Sequence, residues 1–224
     1  AMLEKGTTVR QDKGDGMGLK SHDVILIDYK NINKNDFNVV RQFKIFHYKE
    51  NKPDVVLFIN GFPIVVIECK SPLLQEGVAD GIEQQNRYQE TQDRFRNTGC
   101  PKLFNTAQIV VSTKGTLLKY GTNFTRERHW SQWKEAFPLK LDDLQKTLGR
   151  APYSQDVFLF GVCNKEHLLD IIQNYIVYER EKGKIVKKIC KYQQFKAVRK
   201  LANKIKTKKT TKGGVIWHTQ GSGK

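Results

Sequence analysis

The 224 residues suit one full domain plus a piece of another, and the formal charge of +16 points to a polyanionic partner, since cations beside phosphates release counterions and bind without sequence preference. Four cysteines with no C-x-x-C pair and no metal-like histidine spacing point to a reducing, cytoplasmic setting and away from zinc. No secretory leader or apolar membrane span is visible, so no membrane partner is expected.

Strands are expected at Val24 to Asp28, Val39 to His47, Val55 to Ile59, Ile64 to Cys69 and Gln108 to Ser112, with a helix across Ala79 to Arg94. This is an α/β plan: a mixed central β-sheet flanked by helices, in which a site can sit at strand ends. Val55-Val56-Leu57-Phe58-Ile59 and Ile64-Val65-Val66-Ile67 are nearly continuous apolar runs, the pattern of strands buried on both faces. Asn60-Gly61 supplies the positive φ of a tight connection, and Pro63 falls at a strand start, where its missing N–H is tolerated. A hairpin turning at Gly61-Phe62 pairs residues whose numbers sum to about 123 or 124, which sets Asp54 beside Glu68 and Lys70. Glu68 and Lys70 share a sheet face because strand side chains repeat every two residues. Whether Asp54 joins them depends on a one-residue choice of turn or bulge, and the predicted register puts it there.

Asp54 and Glu68, with the backbone carbonyl of Cys69, offer hard oxygen ligands to Mg²⁺, which keeps several waters and completes its shell with phosphate oxygens. A water so activated can attack phosphorus, with Lys70 orienting it or stabilising the added negative charge. The plain alternative is a turn-capping Asp54 and an exposed Glu68-Lys70 pair, since a bare P-D…E-x-K pattern is weak. After Ser71-Pro72 comes the helix, on which Gln84 and Tyr88 are four apart and share a face. A polar helix face with a half-buried tyrosine is the alternative there.

In these residues the chain resembles the PD-(D/E)xK nuclease superfamily, in the subgroup whose core is followed by a Q-x-x-x-Y helix, and within it the restriction (R) subunit of type I restriction-modification enzymes. The resemblance runs in order through Asn35-Asp36-Phe37, Arg41-Gln42-Phe43, Pro53-Asp54, Leu57 to Pro63, Ile67-Glu68-Cys69-Lys70-Ser71-Pro72, Gln84…Tyr88, Leu103-Phe104-Asn105 and Trp130-Ser131-Gln132-Trp133-Lys134. It covers most of the first 135 residues. It implies a restriction-endonuclease-like core with Asp54, Glu68 and Lys70 catalytic, metal held by Asp54, Glu68 and Cys69, and Gln84 and Tyr88 ordering the site or touching the DNA backbone. Members usually begin with a helix that brings an acidic residue near the metal. This chain is expected to start beyond that helix, and Glu4 has no matching context.

Gly115 to Pro138 is an aromatic, Lys/Arg-rich insert in which Trp130, Trp133 and Phe137, at helical spacing, are expected to pack on the core rather than stack on bases. Asn164 reads as the N-cap of a helix through Arg180 with an apolar stripe of Leu168, Ile171, Ile172, Tyr175 and Ile176. The lysine-rich stretches 182–191 and 196–212 read as a solvated helix face and a flexible loop, with Lys204 to Lys212 a mobile connector. Lys191-Tyr192-Gln193-Gln194-Phe195 resembles the Q motif of helicases, with Gln193 reading adenine and Gln194 the alternative; as bare sequence it is the first turn of an amphipathic helix with Phe195, Val198, Ala202 and Ile205 near helical spacing. Gly213 to Trp217 reads as a buried strand running into His218-Thr219-Gln220-Gly221-Ser222-Gly223-Lys224, a glycine loop whose amides can wrap phosphates. His218 replaces the first glycine of the G-x-x-x-x-G-K-[ST] pattern, a change that superfamily 2 motors tolerate. The chain is expected to stop inside an ATP site.

The expected organisation is an endonuclease domain over 1–180, with its core at about 20–115 and the insert and helical segment at 115–180. A linker and the start of a RecA-like superfamily 2 motor follow over 181–224, with the boundary between Glu181 and Lys188. The resemblance implies a type I site-specific deoxyribonuclease: Mg²⁺-dependent cleavage of double-stranded DNA after ATP-driven translocation by the full-length subunit. ATP with Mg²⁺ would sit at Gln193, Gly221, Ser222, Gly223 and Lys224, and methyltransferase and specificity subunits would be partners. A noncatalytic DNA-holding or subunit-docking domain of a helicase, or a repair nuclease of the same superfamily, are the alternatives.

Overall fold

The computed structural model describes residues 2–12, 14, 18–181, 183–208 and 215–217. In chain order the helices and strands are α1 (Met2–Lys5), β1 (Thr7–Asp12), β2 (Leu19–Val24), β3 (Phe37–Arg41), β4 (Ile45–Phe46), β5 (Glu50–Asn51), β6 (Val55–Ile59), β7 (Phe62–Lys70) and α2 (Gly77–Tyr88). They continue with β8 (Ile109–Lys114), β9 (Leu117–Gly121), α3 (Leu141–Leu148), α4 (Ser154–Gly161), α5 (Lys165–Asn174), β10 (Ile176–Glu181), β11 (Lys184–Ile189) and α6 (Tyr192–Lys208).

The centre is a five-stranded sheet in the order β3-β6-β7-β8-β9. It is mixed: β7 and β8 run parallel, joined by the crossover helix α2, and the other pairs are antiparallel. The mixed α/β expectation therefore holds. Strand residues alternate between two cores. On one face Val65, Ile67, Ile109 and Val111 meet Leu118, Trp133, Phe158, Leu168 and Ile171; on the other, Val56, Val66 and Val110 meet Ile82, Tyr88, Leu103, Phe104 and Trp130.

The β6–β7 hairpin turns one residue earlier than expected, at Asn60-Gly61, where φ is +50° and +80°. Asparagine followed by glycine at positive φ suits a two-residue turn that matches strand twist. Ile59 faces Phe62 and Phe58 faces Pro63, and a bulge between Leu57 and Phe58 then shifts the register so that Leu57 faces Val65 and Val55 faces Ile67. Continued one step, that register sets Asp54 opposite Glu68.

Several expected boundaries move for local reasons. Residues 25–28 are not a strand, because their polar backbone is served by side chains: Asn60 donates to the Leu26 carbonyl at 2.8 Å and the Asp28 amide donates to Asn35 Oδ1 at 2.8 Å. The run Val39 to His47 is broken after Arg41 by Gln42, whose φ is +53°. Helix α2 ends at Tyr88 rather than Arg94, with Glu90 at φ +52° closing it. Asn164 does cap α5, accepting from the His167 amide at 2.9 Å, but the helix stops at Asn174. The residues expected to prolong it form β10, which pairs with β11, so the lysines at 184–189 lie on a hairpin and not on a solvated helix. Burial pushes the Lys187 amine down to about 8, and it donates to the Ala107 carbonyl at 3.0 Å.

Trp130 and Trp133 are buried and Phe137 packs against the larger core, as expected, although residues 132–136 are irregular rather than helical. Helix α6 extends to Lys208, so residues 204–208 are helical rather than connector. Its first turn is buried through Phe195, which stacks edge-on against His167 and Tyr175; Val198 and Ile205 are exposed. Val215 and Trp217 are 92% and 88% exposed and no strand is assigned to 215–217, against the expectation of a buried strand. A strand needs a neighbour to satisfy its backbone, and among the described residues none pairs with these three. Among the described residues no helix is long and apolar enough to cross a membrane.

Candidate active site

The site forms where β6 and β7 leave the hairpin and α2 crosses back over them. Asp54 lies just before β6, and Glu68, Cys69 and Lys70 close β7. Glu68 and Lys70 point to the α2 face with Val66, as the period of two requires. Asp54 is held by its two carboxylate oxygens: Oδ2 accepts from the Cys69 amide at 2.8 Å and Oδ1 accepts from the Gln42 side chain at 2.7 Å.

Around Glu68 the side chains close a ring. Lys70 Nζ donates to Glu68 Oε1 at 2.8 Å and to Gln84 Oε1 at 2.7 Å; Gln84 Nε2 donates to the Tyr88 hydroxyl at 2.7 Å, and that hydroxyl donates to Glu68 Oε2 at 3.3 Å. Glu68 is 3% exposed. Burial raises its carboxyl above the usual carboxylate range, the Lys70 hydrogen bond pulls it back, and the Asp54 charge raises it again. Burial likewise raises the Tyr88 phenol, helped by the Glu68 charge, so the hydroxyl stays protonated as a donor. Of the six residues picked out for the nuclease site, Glu68, Lys70, Gln84 and Tyr88 thus form the ring, and the amide of Cys69, the sixth, holds Asp54 beside it.

The helix sits close because its inward face is small. A Cβ on Gly81 would fall 2.1 Å from Ser112 Oγ and 3.6 Å from Lys70 Cγ, and one on Gly77 would fall 3.2 Å from Lys70 Cβ. Ser112 Oγ donates to the Val78 carbonyl at 2.8 Å, and the buried Gln85 amide donates to the Val66 and Val111 carbonyls at 3.0 and 3.1 Å, tying α2 to β7 and β8. Sequence reasoning left Gly77, Gly81, Gln85 and Gln42 without roles. The two glycines four apart on the helix that carries Gln84 were the readable signal for close helix–sheet approach.

The oxygen donors suit a hard divalent cation. Among the described residues there is no group of three or more His, Cys, Asp and Glu side chains, so the site does not resemble a fully protein-ligated cage. Two acidic side chains, one buried and unfavourably charged, fit an ion such as Mg²⁺ that retains waters.

A family model described as the type I restriction enzyme R protein N terminus matches residues 1–129. The chain belongs to this family. This R-protein region is 31% identical over 226 residues to the putative type I restriction enzyme MjaIXP endonuclease subunit of Methanocaldococcus jannaschii, covering 92% of the chain and 20% of that protein. It is 31% identical over 210 residues to the type I restriction enzyme HindI endonuclease subunit of Haemophilus influenzae (90% and 19%), and 27% identical over 195 residues to the EcoprrI endonuclease subunit of Escherichia coli (84% and 55%). It therefore spans about a fifth of the length of the first two relatives. A second model, described as SWI2/SNF2 ATPase, matches residues 193–224.

Of the residues read as a nucleotide site, Gln193 and Gln194 lie in the first turn of α6, where Gln194 Oε1 accepts from the Lys191 amide at 2.8 Å. Gly221, Ser222, Gly223 and Lys224 lie outside the described residues. All four cysteines are free. Glu4 sits in α1 near Tyr29 and Tyr178, raising both phenols after burial has done so.

Proposed function

We propose that this region is a PD-(D/E)xK nuclease core that hydrolyses phosphodiester bonds of double-stranded DNA with Mg²⁺, as the cutting part of a type I restriction motor subunit. The observation that carries this reading is the convergence of Asp54, Glu68 and Lys70 at one hairpin end, with Glu68 and Lys70 locked to Gln84 and Tyr88 by a closed hydrogen-bond ring and Asp54 held on the Cys69 amide between them. Asp54, Glu68 and the Cys69 carbonyl would hold the ion, which when bound neutralises charge on the phosphate and lowers the pKa of the attacking water. Glu68, raised by burial, has its negative charge favoured by a bound cation and by Lys70. Lys70, held between Glu68 and Gln84, presents a fixed ammonium to the extra charge that develops at phosphorus. Gln84 keeps that ammonium in place, and Tyr88 keeps Gln84 in the orientation that accepts from it.

The SWI2/SNF2 ATPase match over 193–224 supports an ATPase beginning there; in this reading it is the start of a RecA-like motor that would hold ATP at Gln193 and the Gly221-Ser222-Gly223-Lys224 loop, and translocation by the full-length subunit would drive cleavage. The names of the relatives, endonuclease subunits of type I restriction enzymes, support membership of a multi-subunit enzyme; in this reading its partners are double-stranded DNA and the methyltransferase and specificity subunits. The test is DNA cleavage with and without Mg²⁺ by enzyme reassembled from full-length subunits carrying the wild-type sequence, Asp54→Ala or Lys70→Ala, with ATPase followed in parallel. Both variants lose cleavage and retain ATPase. Normal cutting by Asp54→Ala overturns the proposal.

A further inference from the structure

Asp54 is gripped by a residue to which no role has been given. Gln42 Nε2 donates to Asp54 Oδ1 at 2.7 Å, and the Gln42 backbone amide donates to the Asp54 carbonyl at 2.8 Å, so one residue holds Asp54 at both its side chain and its backbone. Phe43 continues the grip, its amide donating to the Pro53 carbonyl at 3.1 Å. Gln42 adopts φ +53°, the left-handed region that a residue with a Cβ enters at a cost. Glycine or asparagine makes that bend with less strain, so the bend alone does not account for a glutamine. Backbone strain of this kind persists where the surrounding structure holds it, and it gathers at functional sites. Here the bend interrupts the strand run and brings a long amide side chain to the Asp54 oxygen that the Cys69 amide does not use.

We propose that Gln42 is a positioning residue for Asp54. With the Gln42 amide on Oδ1 and the Cys69 amide on Oδ2, the carboxylate plane is set before a cation arrives, and each oxygen keeps a second lone pair for the ion. Without Gln42, one oxygen loses its donor and the carboxylate rotates about its own bonds, so ordering it falls to the cation. This inference rests on the reading of Asp54 as a metal ligand.

The experiment is a Mn²⁺ titration of the 224-residue chain, followed by loss of the free-ion paramagnetic resonance signal, with thermal melting of each protein recorded without metal. Gln42→Gly and Gln42→Met each weaken Mn²⁺ binding about tenfold, equivalent to about 1.4 kcal/mol. Gln42→Gly, which relieves the left-handed strain, melts no lower than wild type. A purely structural glutamine gives the reverse pattern: a lower melting temperature with unchanged ion affinity, which overturns the proposal. If Asp54→Asn abolishes Mn²⁺ uptake while both Gln42 variants bind like wild type, the positioning role is wrong and the metal site stands. If Asp54→Asn binds like wild type, or the wild-type chain takes up no Mn²⁺, the metal reading fails and the inference falls with it.

Discussion

The two faces of the central sheet are made from alternate residues of the same strands, yet their chemistry is opposite. Away from α2, Val65, Ile67, Ile109 and Val111 continue into an apolar core with Phe158, Leu168 and Ile171, and nearly every group there is buried without charge. Toward α2, Val56, Val66 and Val110 give way at the strand ends to Glu68, Lys70 and Ser112. Apolar area removed from water stabilises the first face by roughly 25 cal/mol per Å². A buried ion pair on the second costs desolvation that is offset only if its remaining hydrogen bonds are made, which Gln84 and Tyr88 do. Stability thus rests mainly on one face, and the proposed chemistry lies on the other.

The largest effect expected from breaking this division is on the apolar face. Phe158→Ala, which empties a fully buried position against Tyr120, costs about 3–5 kcal/mol in urea unfolding. If the faces divide as described, Mn²⁺ affinity in the surviving folded protein stays within twofold of wild type. A smaller effect follows from forcing the polar face apart. Gly81→Ala drives a methyl into Ser112 Oγ and costs about 1–3 kcal/mol while displacing α2 from Lys70, so both melting temperature and metal affinity drop. Ser112→Ala in the same chain removes the clashing oxygen and recovers part of each. Failure of that double variant to recover either property would sink the close-approach argument.

The smallest effect sharpens the comparison through pH, because each face buries a carboxyl or an imidazole whose ionisation burial disfavours. Burial raises Glu68, so its neutral form is favoured in the fold: the stability it contributes is present below the ordinary value of 4.5 and is lost as pH rises through its raised value. Burial lowers His167, whose ring meets the Gly161 carbonyl at 2.9 Å: its contribution is present above 6.5 and is lost as pH falls toward its lower folded value. In chelator, Glu68→Gln flattens the decline above 4.5 and His167→Gln flattens the decline below 6.5. Melting temperatures across pH 4 to 8, read in steps of about half a unit of pH, give both slopes, and an unchanged slope in either variant removes that group from the account.

Much of the site was readable because it is local. Val55–Ile59 is a strand with the expected limits, Asn60-Gly61 supplies the expected positive φ although the turn falls one residue early, and Gln84 and Tyr88 meet on one helical face, each set by nearest-neighbour geometry along the chain. What misled was also local. Tyr175 and Ile176 continue a helical stripe after Ile171 and Ile172, but the β-branched and aromatic side chains of Ile176, Val177 and Tyr178 serve equally in a hairpin, and pairing with Lys184–Ile189 decided it. Gln42 counted only toward the family resemblance, and its role stayed hidden, since a left-handed glutamine is invisible until its partner, twelve residues on, is in place.

By itself the sequence determined the α/β plan, the hairpin with acids and a lysine at its end, and the family to which the chain belongs. Strand alternation and helical spacing are properties of a few consecutive residues, and they survive whatever surrounds them. Only the tertiary structure decided the register that faces Asp54 to Glu68, the approach of α2 permitted by Gly77 and Gly81, and the grip of Gln42 on Asp54. Those depend on a bulge, on the absence of two side chains and on one strained backbone angle, each stable only because distant segments pack against it.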